Sequence, residues 1–72
     1  MTIAQILEKP IRALGGTWDT QRAVTALRDA GLGNGGQRQQ EMRARAALRA
    51  LNKTGVIVKT DPNSATYRLT EQ

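Results

Sequence analysis

The spacing of the apolar residues changes at Gly55, and this change limits what the chain can fold into. Before Gly55 the apolar side chains recur three and four residues apart, as on one face of a helix. After it, β-branched and aromatic residues run together or alternate with polar ones, as in short strands. The pattern predicts a mainly α fold with a small β-hairpin. Seventy-two residues make a single domain, 1–72. A chain of this length buries only about 60% of its unfolded surface, so its core is thin.

The first helical stretch covers about residues 2–14. Thr2-Ile3-Ala4-Gln5 has the form of a capping box, and Ile3, Ile6, Leu7, Ile11 and Leu14 share one face. Pro10 lacks the amide proton a regular helix uses, which predicts a kink there or two short helices. Thr17-Trp18 reads as a short extended bridge. Asp19 is an N-cap for a second helix, about 20–30, with Ala23, Val24, Leu27 and Ala30 on one face. Gly31 followed by Leu32 is a Schellman stop, placing Leu32 against Leu27.

The third helix is expected over about 35–53, with Asn34 as its cap and Ala44, Ala47, Leu48 and Leu51 as its buried stripe. Gly55-Val56 repeats the earlier stop, setting Val56 against Leu51. The hairpin spans about 56–70, from Val56–Thr60 to Thr66–Thr70. Asp61-Pro62-Asn63-Ser64 forms a type I turn between the two runs. Trp18 and Tyr67, the only aromatic residues, are expected in the core.

Charge is distributed very unevenly. In 37–53, Arg38, Arg43, Arg45, Arg49 and Lys53 face a single acid, Glu41, and hold +4 of the net +5. At about 100° per residue, Arg38, Met42, Arg45, Arg49 and Lys53 fall opposite the apolar stripe, with Gln39 and Arg43 flanking. A helix that turns its cations away from the core is the electrostatic footprint of a polyanion binder.

Other classes of function are disfavoured. The chain has no histidine and no cysteine, so the usual bases, nucleophiles and soft metal ligands are missing. An enzyme, a metal site, a cofactor and a small-molecule ligand are not expected. Gly31-Leu32-Gly33-Asn34-Gly35-Gly36 formally fits G-x-G-x-x-G, but a helix precedes it where a nucleotide-binding fingerprint needs a strand. No apolar run reaches the ~20 residues of a membrane span, and residues 1–8 carry no lysine or arginine as a signal peptide would. The expectation is a cytoplasmic protein, nucleoid-associated in a prokaryote.

The order helix, extended bridge, helix, turn, helix, hairpin resembles the winged helix-turn-helix family. The likeness is carried by Ala47-Leu48, Leu51, Gly55-Val56-Ile57 and Tyr67-Arg68-Leu69-Thr70, and covers roughly residues 2–70. The turn before helix three, with four glycines between Gly31 and Gly36, and the small Ala44 depart from the family pattern. The resemblance implies a three-helix winged helix-turn-helix domain, with helix three in the major groove of double-stranded DNA. The hairpin would be a wing that reaches a neighbouring groove or phosphates.

Arginine pairs bidentately with guanine and glutamine with adenine, which makes Arg38, Gln39, Gln40, Arg43 and Arg45 the candidates for base reading. Arg49 and Lys53, further along, are phosphate candidates, joined by Thr17, Thr20 and Gln21 around the start of helix two. Lys59, Asn63, Ser64 and Arg68 are the candidate wing contacts. The expected function is sequence-specific DNA binding by a small transcriptional regulator or a plasmid- or phage-type DNA-handling factor. A winged-helix protein-docking module and an unspecific architectural DNA binder remain the alternatives. So small a reader covers few base pairs, so a homodimer or a larger DNA-bound complex is expected. Helix one, near Ile3 and Ile6, is the surface available for it.

Overall fold

A computed structural model describes residues 2–70; Met1, Glu71 and Gln72 of the expected 1–72 domain lie outside the described residues. Three helices, α1 (Ile3–Leu14), α2 (Thr20–Asp29) and α3 (Gln37–Lys53), precede two strands, β1 (Ile57–Lys59) and β2 (Tyr67–Leu69). The strands pair antiparallel, with Ile57 opposite Leu69, Val58 opposite Arg68 and Lys59 opposite Tyr67. The radius of gyration is 11.2 Å, close to the about 11 Å expected of a compact domain of this length.

The helix boundaries follow local chemistry. Thr2 and Gln5 close the capping box of α1 in both directions, at 2.9 and 3.1 Å. The Asp19 carboxylate accepts the Arg22 amide at 2.8 Å and starts α2. Both glycine stops form complete Schellman motifs. The Leu32 amide donates to the Leu27 carbonyl and Gly31 to Arg28; Val56 donates to Leu51 and Gly55 to Asn52. Gly31 and Gly55 carry φ of 89° and 87°, the left-handed conformation this motif requires.

One of the two alternatives for the first helix is excluded, and one expectation about the third is corrected. Pro10 lies within one continuous α1 and does not divide it. Leu7 and Ile11, on either side of it, are fully buried, and their packing holds the helix together across the missing hydrogen bond. Asn34 does not cap α3. The N-cap is Gly36, with no side-chain hydrogen bond, so α3 starts at Gln37 rather than near 35. Gly36 offers only backbone at that position, and the turn before α3 is held by side chains of α3, described below.

The core consists of Leu7 and Ile11 from α1, Ala23, Val24 and Leu27 from α2, Ala44, Ala47, Leu48 and Leu51 from α3, Ile57 from β1, and Trp18. The four α3 residues are the expected stripe. Trp18 has no exposed surface and donates its indole N–H to the Gly15 carbonyl at 3.0 Å. Its backbone exchanges two hydrogen bonds with Tyr67, at 2.6 and 2.7 Å. The extended residue therefore pairs beside β2, and β2 lies between it and β1. The Arg22 guanidinium sits 4.2 Å from the centre of the indole ring and donates to the Thr17 carbonyl, which closes the outer side of the core.

At the hairpin tip the Ser64 amide donates to the Asp61 carbonyl and the Asn63 amide to the Asp61 carboxylate, which forms the expected turn. A groove of about 500 Å³ runs between α1 and α2. It is lined by Ile6, Pro10, Ala13, Leu14, Ala26 and Ala30, with Lys9 and Asp29 at its rim. Among the described residues no helix is long and apolar enough to cross a membrane.

A Cβ at Gly31 would meet nothing within 4 Å, so replacement there tests backbone conformation alone. Gly31→Ala is expected to lower the unfolding free energy by about 1–2 kcal/mol, read from denaturant melts. An unchanged midpoint would mean the α2 terminus adopts another conformation.

Candidate functional site

Burial of Ala44, Ala47, Leu48 and Leu51 fixes the rotation of α3 and so decides which side chains face outward. Arg38, Met42, Arg45, Arg49 and Lys53 are all exposed. Among the described residues the one acid near this stripe is Glu41, whose carboxylate lies 3.9 Å from Arg45 Nη2. The Arg45 side chain is 60% exposed, and a pair this long and wet is worth about 0–1 kcal/mol. It can open at little cost. Arg38, Arg49 and Lys53 form no ion pair with any described residue.

The glycine-rich connection from α2 to α3 is tied down by side chains. Gln40 Nε2 donates to the Gly33 and Gly35 carbonyls at 3.0 and 2.9 Å, and Gln40 Oε1 accepts from Arg28 Nη2 at 3.1 Å. Arg43 Nη1 donates to the Leu32 carbonyl at 2.6 Å. Carbonyls of the turn before α3 are thus held by side chains of α3 itself, while the first-turn amides of α3 have no side-chain cap. The five base-reading candidates fall into two groups. Gln40 and Arg43 are half-buried and engaged with the turn, whereas Arg38, Gln39 and Arg45 stand exposed.

The phosphate and wing candidates also separate. Thr20, at the start of α2, shares a cleft of about 150 Å³ with Arg45, Leu48 and Arg49 of α3 and with Ala65 and Tyr67 of the hairpin. Thr17 lies apart from these, in a shallower cleft with Gly16, Leu69 and Arg68. Gln21 is exposed, and its carbonyl accepts the Thr25 hydroxyl. The N-terminus of α2 already holds the Asp19 carboxylate. The groups open to an anion there are therefore the two arginines and the Thr20 side chain, more than the helix end. Lys53 stands alone in the last turn of α3.

On the hairpin, Lys59 and Asn63 are exposed near the tip, and Arg68 projects from the outer face opposite Val58. Ser64 is held in the turn: its hydroxyl accepts the Thr66 amide at 3.1 Å and lies 2.6 Å from the Thr66 hydroxyl. Tyr67, expected only in the core, is half-buried and also lines the cleft with Arg45 and Arg49. Its strand register against Trp18 brings it there. The sequence signal was the alternation of Thr66, Tyr67 and Arg68 beside a lone extended tryptophan.

Among the described residues no group of three or more acids could hold a metal ion. No family model, curated protein or solved structure gives a significant match to the chain.

The two adjacent glutamines of α3 have separable roles. Gln40→Ala is expected to lower stability by about 1–2 kcal/mol, because it leaves turn carbonyls without a partner. Gln39→Ala should stay within about 0.5 kcal/mol of the parent, as surface substitutions do. Urea unfolding of both variants tests the difference; equal effects would remove Gln40 from the turn.

Proposed function

We propose that this chain is a winged helix-turn-helix protein that binds double-stranded DNA in a sequence-specific way, with α3 in the major groove and the hairpin as a wing. The observation that carries this reading is the exposed stripe Arg38, Met42, Arg45, Arg49 and Lys53, back to back with the buried stripe that fixes it. An α-helix fits the B-DNA major groove, and arginine and glutamine have bidentate pairings with guanine and adenine. Arg38, Gln39 and Arg45 are the base readers in this proposal. Arg49, Lys53 and Thr20 meet phosphates, and Arg45 can reach either. Gln40 and Arg43 set the angle of α3 by gripping the turn before it.

The pairing of Trp18 with β2 supports the winged arrangement, because it places the hairpin beside the start of α2 and alongside α3. Lys59, Asn63 and Arg68 are the wing groups available to a backbone or a minor groove. In this reading the chain acts as a small regulator or DNA-handling factor. The partner copy or larger complex that useful specificity calls for has a surface in the α1–α2 groove. No α3 residue lines that groove, and Leu14 at its edge is 69% exposed.

Selection from random duplexes at two salt concentrations tests the proposal. Enrichment of one site supports a specific reader; salt-sensitive binding without enrichment indicates an architectural binder; absence of duplex affinity favours a docking module.

On the selected site, Arg45→Ala is expected to weaken binding by about 1–3 kcal/mol while affecting random DNA much less. Lys53→Ala should weaken both alike and reduce the slope of log K against log salt by about one. Titrations across a salt series separate the two behaviours.

A further inference from the structure

Met42 is the one large apolar side chain on the cationic face of α3 among the described residues, and it is 58% exposed. The other exposed large apolar residues, Ile3, Leu14 and Val58, lie on α1 and β1. Nothing in the fold requires an apolar group at this position, since the buried stripe is complete without it. Met42 follows Arg38 by one turn and precedes Arg45 by one turn, so it stands between two arginines on a single line. At about 1.5 Å of rise per residue, Met42 lies roughly 6 Å from Arg38 and 4.5 Å from Arg45 along the helix axis. Those separations amount to one or two base steps of about 3.4 Å each.

The major groove presents one apolar group, the C5-methyl of thymine, among hydrogen-bonding edges. A methionine side chain is unbranched and polarisable and adapts to such a contact. We infer that Met42 is a specificity-determining residue that selects a thymine methyl within two base steps of a guanine read by Arg38 or Arg45. The inference rests on the DNA-binding reading above. It adds that the target site has an apolar contact between its arginine contacts. A reader with arginines alone would select guanines and leave the intervening position undefined.

The test starts from the duplex enriched by selection and replaces its thymines one at a time with uracil, which removes only the methyl group. At one thymine close to a guanine, the parent protein should lose about fourfold in affinity, the worth of one buried methyl. Met42→Ala should bind the thymine and uracil duplexes equally, with the affinity the parent shows for the uracil duplex. Alanine is the strongest helix former, so this exposed substitution leaves α3 intact; helicity by circular dichroism checks that directly. Specific binding with no thymine sensitive to uracil overturns this inference and leaves the DNA-binding reading standing. So does a uracil effect that persists unchanged in Met42→Ala. Absence of any duplex binding removes both.

Discussion

Trp18 joins the helical and the extended parts of this chain. Its ring supplies the largest fully buried side chain, its indole N–H is satisfied by Gly15, and its backbone pairs with Tyr67 on both sides. A chain without phenylalanine has few ways to fill the space where three helices meet a hairpin. One ring does this while its own peptide groups carry β2. The two hydrogen bonds to Trp18 and the burial of Ile57 against the helices together set the orientation of the hairpin relative to α2 and α3. Arg22, stacked on the outer face of the ring, keeps water away from that junction.

The second constraint lies in α3, which must hold a dense positive charge on one side and pack closely on the other. Ala44 and Ala47 are small, and this lets the helix approach α1 and α2 despite the bulk of neighbouring arginine stems. Repulsion among the cations is left largely uncompensated, since the only described cation that Glu41 pairs with is Arg45, at 3.9 Å, while its other carboxylate oxygen accepts from the Gln37 side-chain amide at 3.1 Å. Such an arrangement costs folding stability through self-repulsion. The glycine turn and its grip by Gln40 and Arg43 then fix the direction in which that charge points.

Much of the fold was legible because it is written in local chemistry. Asp19 caps where expected, Gly31 and Gly55 stop helices in the expected motif, and the α3 stripe is buried residue for residue. Side chains that bond to distant carbonyls left no such periodic trace. Gln40 reaches Gly33 and Arg43 reaches Leu32, and from sequence alone both look like surface groups on a charged helix. Asn34 does not cap because α3 begins at Gln37, with Gly36 at the cap position, and the turn between them is shaped by bonds from α3 that propensity does not encode. Pro10 stayed within its helix because burial of Leu7 and Ile11 outweighs a local rule. The cleft joining Thr20 to Arg45 and Arg49 became visible only once the hairpin was in place.

The order Trp18, β2, β1 leaves the far side of β1 unpaired among the described residues. An unpaired strand edge is a template on which chains can stack into aggregates, and proteins blunt it with brevity and charge. Here the edge is three residues long and ends at exposed Lys59, next to a proline-containing bend. Two identical molecules meeting along this edge could form only a few inter-chain bonds, and their lysines would repel each other. The chain is protected by this from sticking strand to strand to other copies of itself where many are crowded together.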